Sequence, residues 1–154
     1  MTHRRIVLVA HNIRSLWNVG SFFRTADAFS IEHIYLTGYT PTPPRKEISK
    51  TAIGADEWIP WTHALDPLPI LQNLQEQCFT IVALELTRDS VDLSTITVSA
   101  DEAVCIVVGH EILGVPEEIL TVSDHIALIP MLGKKHSLNV SVATGIALYR
   151  FRQS

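Results

Sequence analysis

The stretch EAVCIVVGHEILGVPEEILTVSDHIALIPM, Glu102 to Met131, holds the alternation on which the fold turns. It opens with "EAVCIVVG" (Glu102 to Gly109) and closes with "HIALIPM" (His125 to Met131), two continuous and largely β-branched apolar runs. Continuous apolarity without strict alternation marks strands covered on both faces. Between them "VPEEILTV" (Val115 to Val122) reads as a helix, with Pro116 where a first turn tolerates it.

The same alternation extends outward in both directions. "RIVLVA" (Arg5 to Ala10), "HIYLTG" (His33 to Gly38) and "FTIVALEL" (Phe79 to Leu86) are further buried-strand runs. Val19, Phe22, Phe23, Ala26 and Phe29 recur at helical spacing, and "DPLPILQNLQEQ" (Asp66 to Gln77) starts with proline and ends polar. Strands alternating with helices imply an α/β fold: a mainly parallel sheet with helices on both faces. Ligands of such sheets bind in the loops beyond the carboxyl ends of the strands. That rule selects "HNIRSLWNVG", "YTPTPPRK", "GHEILGV" and "MLGKKHSLN". "TPTPPR" (Thr40 to Arg45) is a short stiff loop, and there is no internal repeat.

With 154 residues and no visible linker, residues 1–154 form one expected domain. Hydrophobic residues make up 47% and charged residues 18%, a surplus of apolar side chains that points to an additional buried surface such as a subunit interface. No run is long enough to cross a bilayer, and "MTHRRIVLVAHNIRS" lacks the plan of a signal peptide, so a cytoplasmic protein without a membrane partner is expected. Cys78 and Cys105 lie in apolar runs and are expected to be buried free thiols. A net charge of -4 does not announce a nucleic-acid binder, so any such role rests on local basic patches.

Three stretches could carry chemistry. Asn18, Gly20 and Arg24 surround the start of the first helix; Asn18 suits an N-cap, Gly20 lets a backbone approach closely, and Arg24 lies off the apolar stripe. On these residues alone a capping Asn beside a solvated Arg is the commoner arrangement, and a phosphate or carboxylate site at the helix start is the alternative. "VVGHEILGV" (Val107 to Val115) puts Glu111 between two glycines after a buried strand, but matches neither a dinucleotide fingerprint nor a phosphate loop. Glu111 could equally favour the dipole of the next helix.

"IPMLGKKHSLNVSVATGIALYRF" (Ile129 to Phe151) opens a helix with Ser137, Asn139 and Ser141, residues that favour caps over interiors. The helix itself is apolar around most of its circumference, through Leu138, Val140, Val142, Ile146, Leu148 and Tyr149 among others. Such a helix is buried on more than one side; one side covers the sheet, and a second copy of the chain is the simplest cover for the rest. The histidines have no metal-site spacing and no hydrolytic triad stands out, so no metal is expected. Trp17, Trp58 and Trp61 lie in or near expected loops, as core or as surfaces for stacking bases.

In this order, "NVGSFFRTADAF" (Asn18 to Phe29), "VVGHEILGV" and "IPMLGKKHSLNVSVA" (Ile129 to Ala143) resemble the three motifs of the SpoU/TrmH-type branch of the SPOUT superfamily of RNA methyltransferases. The resemblance implies a C-terminal deep trefoil knot, an exception to the rule that chains avoid knots. It implies S-adenosylmethionine as cofactor, a homodimer with the site at the subunit interface, and methylation of a ribose 2'-hydroxyl in RNA, tRNA rather than rRNA for a chain of this size. By motif it assigns Arg24 as catalytic residue, supported by Asn18, Glu111, Ser137 and Asn139. Leu84, Gly109, Ile129, Met131 and Leu138 would line the cofactor pocket, largely through main-chain groups. Arg14, Arg45, Lys46, Lys134 and Lys135 become the phosphate-contacting set. An arginine stays protonated, so Arg24 would hold a substrate phosphate against the hydroxyl and stabilise the alkoxide. A catalytically inactive, RNA-binding or scaffolding dimer is the alternative; the intact motif residues argue against it.

Overall fold

A computed structural model describes residues 3–154. Among them lie seven strands: β1 Ile6–His11, β2 His33–Thr37, β3 Trp61–Ala64, β4 Phe79–Leu84, β5 Val91–Asp92, β6 Ala103–Val108 and β7 His125–Leu128. They form one sheet in the order β3-β2-β1-β6-β4-β7-β5, every neighbouring pair parallel. The five apolar runs of the sequence become β1, β2, β4, β6 and β7. In the central strands β1 and β6 every residue is buried, as unbroken apolarity requires.

Five helices connect them: α1 Leu16–Ala28, α2 Lys46–Ala52, α3 Leu68–Glu76, α4 Glu117–Val122 and α5 Val140–Gln153. One core packs Phe22 and Phe23 of α1, Ile48 of α2, and Leu148 and Phe151 of α5 against Leu8, Ile34 and Ile106. The opposite core packs Leu71 and Leu74 of α3 and Ile119 of α4 against Val9, Ile81 and Val107. The sheet is therefore covered on both faces, and the loops after β1, β2, β4, β6 and β7 all emerge at its carboxyl edge.

Three local expectations are corrected. Asn18 is not the N-cap of α1: Ser15 is, its hydroxyl accepting from Asn18 N at 3.3 Å, so the helix begins one turn earlier. Pro116 is the N-cap of α4 and not a first-turn residue. Cys105 is fully buried, and burial pushes its thiol well up, but Cys78 is exposed. Cys78 sits in the left-handed turn between α3 and β4 (φ 65), outside the strand whose apolar run it seemed to extend.

Candidate active site

The loops after β4, β6 and β7 enclose a cavity of about 610 Å³. Leu84, Gly109, Ile129, Met131 and Leu138, the five residues assigned to the cofactor, all line it. Glu111, Ser137 and Asn139 line it too, as does Lys135. Gly109 has a steric reason to be glycine: a Cβ there would overlap the backbone of Gly114 and Val115 where the loop folds back.

A chain of side-chain hydrogen bonds joins the three motifs. Asn139 caps α5, its Oδ1 accepting from Ser141 N at 2.9 Å and Ser141 Oγ at 2.6 Å, while its Nδ2 donates to Asn18 Oδ1 at 3.3 Å. Asn18 Nδ2 in turn donates to Glu111 Oε1 at 3.2 Å. The ionised carboxylate only accepts, so it fixes the amide orientation of Asn18, and Asn18 fixes that of Asn139. Glu111 is itself held by the start of α1, accepting from Arg14 N at 3.1 Å and Ser15 N at 3.0 Å. Burial pushes the Glu111 carboxyl up, but the donors of Ser15, its own backbone, Arg14 and Asn18 together outweigh this and hold it below its ordinary range.

Glu85, at the carboxyl end of β4, is a cavity residue that sequence reading missed. Its Oε2 accepts from Val115 N at 2.7 Å and its Oε1 from Leu86 N at 2.9 Å, tying β4 to the loop after β6. Gly114 (φ +73) makes room for that carboxylate, which a Cβ would overlap. The available signal was an acid directly after a buried strand, on the edge where ligands bind.

The basic residues are spread more widely. Arg14 lines a second hollow of about 310 Å³ with Ser15, His110, Glu111 and Ile112. Lys134 is exposed beside Lys135, and Arg45 and Lys46 are exposed at the start of α2. None of these three lines either cavity. Arg24 is exposed on α1 and lines neither cavity, and its side chain makes no hydrogen bond or ion pair with another described residue. The structure thus gathers four of the five assigned catalytic residues and leaves Arg24 apart.

A parallel sheet with helices on both faces and a glycine-shaped cavity at its carboxyl edge defines the broad class, an α/β protein with a site for a mid-sized ligand. The SpoU rRNA Methylase family model matches residues 5–149, and the chain belongs to that family. It is 32% identical over 145 residues to the tRNA (guanosine(18)-2'-O)-methyltransferase of Aquifex aeolicus, covering 94% of this chain and 67% of that protein. Against the enzyme of the same name from Escherichia coli it is 30% identical over 132 residues, covering 86% of this chain and 56% of the other. The crystal structure of the AdoMet-bound rRNA methyltransferase from Sinorhizobium meliloti superposes with a TM-score of 0.91 at 30% identity, covering 99% of this chain and 57% of that one. The chain therefore spans little more than half the length of two of these relatives.

Proposed function

We propose that this chain is an S-adenosylmethionine-dependent methyltransferase acting on a ribose 2'-hydroxyl of RNA, with tRNA favoured over rRNA. The observation that carries the reading is the convergence of all five assigned cofactor residues with Glu111, Ser137 and Asn139 on one cavity. The residues fit the cofactor. Leu84, Ile129, Met131 and Leu138 offer apolar walls to an adenosine, Gly109 leaves backbone bare where a side chain could not stand, and the volume suits a ligand of this class. When bound, the cofactor supplies a methyl group made electrophilic by its sulfonium. The relatives named as tRNA methyltransferases support the choice of tRNA.

The chain's own contribution is alignment and charge. Asn18, Asn139 and Glu111 hold the start of α1, the start of α5 and the loop after β6 in one register. Arg24 contacts the substrate phosphate and stabilises the developing alkoxide, while the hydroxyl proton passes to that phosphate or to a solvent chain. Because it does not line the cavity of its own protomer, it serves the site of a second copy in a homodimer. α5 supports that assembly: Val142, Ile146 and Tyr149 are 50%, 40% and 58% exposed on one side of a helix whose other side is core. Arg14, Arg45, Lys46, Lys134 and Lys135 contact RNA phosphates.

The deep C-terminal trefoil knot belongs to the same reading. β7 lies between β4 and β5, which residues 85–90 join, so the chain leaving β7 has to clear that connection before α5. Residues 1–154 act as one domain, in the cytoplasm, with neither a metal nor a membrane entering the reaction.

The test is transfer of labelled methyl groups from S-adenosylmethionine to unmodified tRNA and rRNA, with the methylated ribose mapped. No transfer to either RNA overturns the reading. Arg24→Ala should abolish turnover while cofactor binding persists; a variant that methylates at the wild-type rate removes Arg24 from the mechanism.

A further inference from the structure

His110 stands on the partition between the two cavities, lining both the larger one and the hollow that Arg14, Ser15, Glu111 and Ile112 complete. Its Nδ1 accepts from the backbone N–H groups of Ile112 and Leu113, each at 2.9 Å. An accepting ring nitrogen carries no hydrogen, so the neutral ring bears it on Nε2. No described residue accepts from Nε2, and the residue is half-buried and not sealed away. One nitrogen therefore anchors the ring to its loop and the other is left as a donor with a fixed direction.

A second element braces the ring. Tyr39, in the loop after β2, meets it edge-on, with centroids 6.3 Å apart and planes at 79°. Tyr39 is held by its own backbone N–H, which donates to Asn12 Oδ1 at 3.1 Å, yet its side chain is more than half exposed. The amides of Arg14 and Ser15, just ahead of α1, are taken by Glu111. The cationic residue lining the hollow is Arg14, which stands there with Glu111.

A fixed hydrogen-bond donor, a guanidinium and an exposed aromatic side chain together complement a ligand that is anionic, rich in acceptors and aromatic. Sharing Glu111 and His110 with the larger cavity places that ligand directly beside whatever the larger cavity holds. We infer that the hollow receives the target nucleotide, with His110 Nε2–H donating to it, Arg14 facing its phosphate and Tyr39 flanking its base. The inference rests on the methyl-transfer reading for the reaction and adds the residue that recognises the reacting nucleotide.

Two substitutions separate this role from mere support of the loop. In His110→Asn the side-chain oxygen can still accept from Ile112 and Leu113, but no donor reaches the Nε2 position. In His110→Gln an amide N–H reaches that position while the loop acceptor is lost. With S-adenosylmethionine and unmodified tRNA, His110→Asn should lower kcat/KM about tenfold while cofactor affinity stays within about twofold, and His110→Gln should recover part of the loss. Loop support alone gives the reverse order, with His110→Asn active and His110→Gln impaired, and that order overturns the inference. The second readout does not depend on turnover. The Nε2–H resonance of His110 in nitrogen-15-labelled protein, assigned by its absence in His110→Asn, should shift when unmodified tRNA is added with S-adenosylhomocysteine present. A resonance that does not move overturns the inference even if methyl transfer occurs; one that moves while no methyl group is transferred sustains the subsite and overturns the proposed reaction.

Discussion

Glu111 works at the scale of three hydrogen-bond donors and one charge. Its carboxylate accepts from the amides of Ser15, the N-cap of α1, and of Arg14 before it, where the helix dipole favours an anion, and from Asn18. Replacing it with Gln keeps one acceptor oxygen and removes the charge, which should cost about 1 kcal/mol of stability at neutral pH, read by urea denaturation. The pH dependence follows from the lowered folded-state pKa. The ionised group stabilises the fold fully above the unfolded carboxylate value of about 4.3, and that contribution is lost as the pH falls through the lower folded value. The gap between wild type and Glu111→Gln should therefore be constant from pH 6 to about 8 and close in acid; a gap that widens in acid contradicts the assignment. Sequence alone placed Glu111 in the right loop but could not tell a dipole-favouring acid of α4 from an acceptor for α1. That choice depends on a contact across 97 residues of chain.

Packing between elements gives one substitution opposite signs at two glycines. A Cβ on Gly20 of α1 would overlap Thr51 Oγ1 and the Ile48 carbonyl of α2, the hydroxyl that also bonds Trp17 O at 2.9 Å. A Cβ on Gly145 of α5 would meet Thr25 Cγ2 at 3.7 Å, an ordinary contact. Gly20→Ala should therefore destabilise by about 1–3 kcal/mol, since a backbone carbonyl cannot move aside, whereas Gly145→Ala should stabilise by up to about 1 kcal/mol through helix propensity. Denaturant midpoints of the two variants test this, and shifts of the same sign refute it. The legibility of the elements follows the same physics of cover. β1, β4 and β6 were readable because burial on both faces leaves a continuous apolar signature. α2, KEISKTA, was not: only Ile48 and Ala52 are buried, too few to set a period. β3 is an edge strand of four residues and β5 has two, and both take their conformation from a neighbour and not from their own side chains.

At the scale of the whole molecule, Arg24 and the cavity stand apart within one chain, and the proposed homodimer is what would bring them together. The motif that contains Arg24 also contains Asn18, which reaches the cavity residues through Glu111 and Asn139, but Arg24 itself is exposed and lines neither cavity. α1 packs against α5 through Thr25 and Gly145, and the exposed apolar residues Val142, Ile146 and Tyr149 lie on that same helix. A two-fold interface on α5 would thus carry each Arg24 toward the other copy, giving every site residues from both chains. The resemblance implied a site shared between two copies, but the residues alone showed only that α5 is apolar around most of its circumference, because periodicity records that a helix is covered and not by what. The consequence is complementation. Arg24→Ala and Met131→Trp, which fills the cavity, should each be inactive alone. Mixed and allowed to exchange subunits, they form hybrid dimers in which the Arg24→Ala chain supplies an open cavity and the Met131→Trp chain supplies the arginine. An equal mixture then recovers about a quarter of wild-type methyl transfer, half the dimers being hybrid with one complete site of two. Ile146→Asp on both chains should abolish that recovery and shift the protein to the monomer in sedimentation. If Arg24 acts within its own chain, the hybrid dimer holds no complete site, and the mixture stays as inactive as its parts.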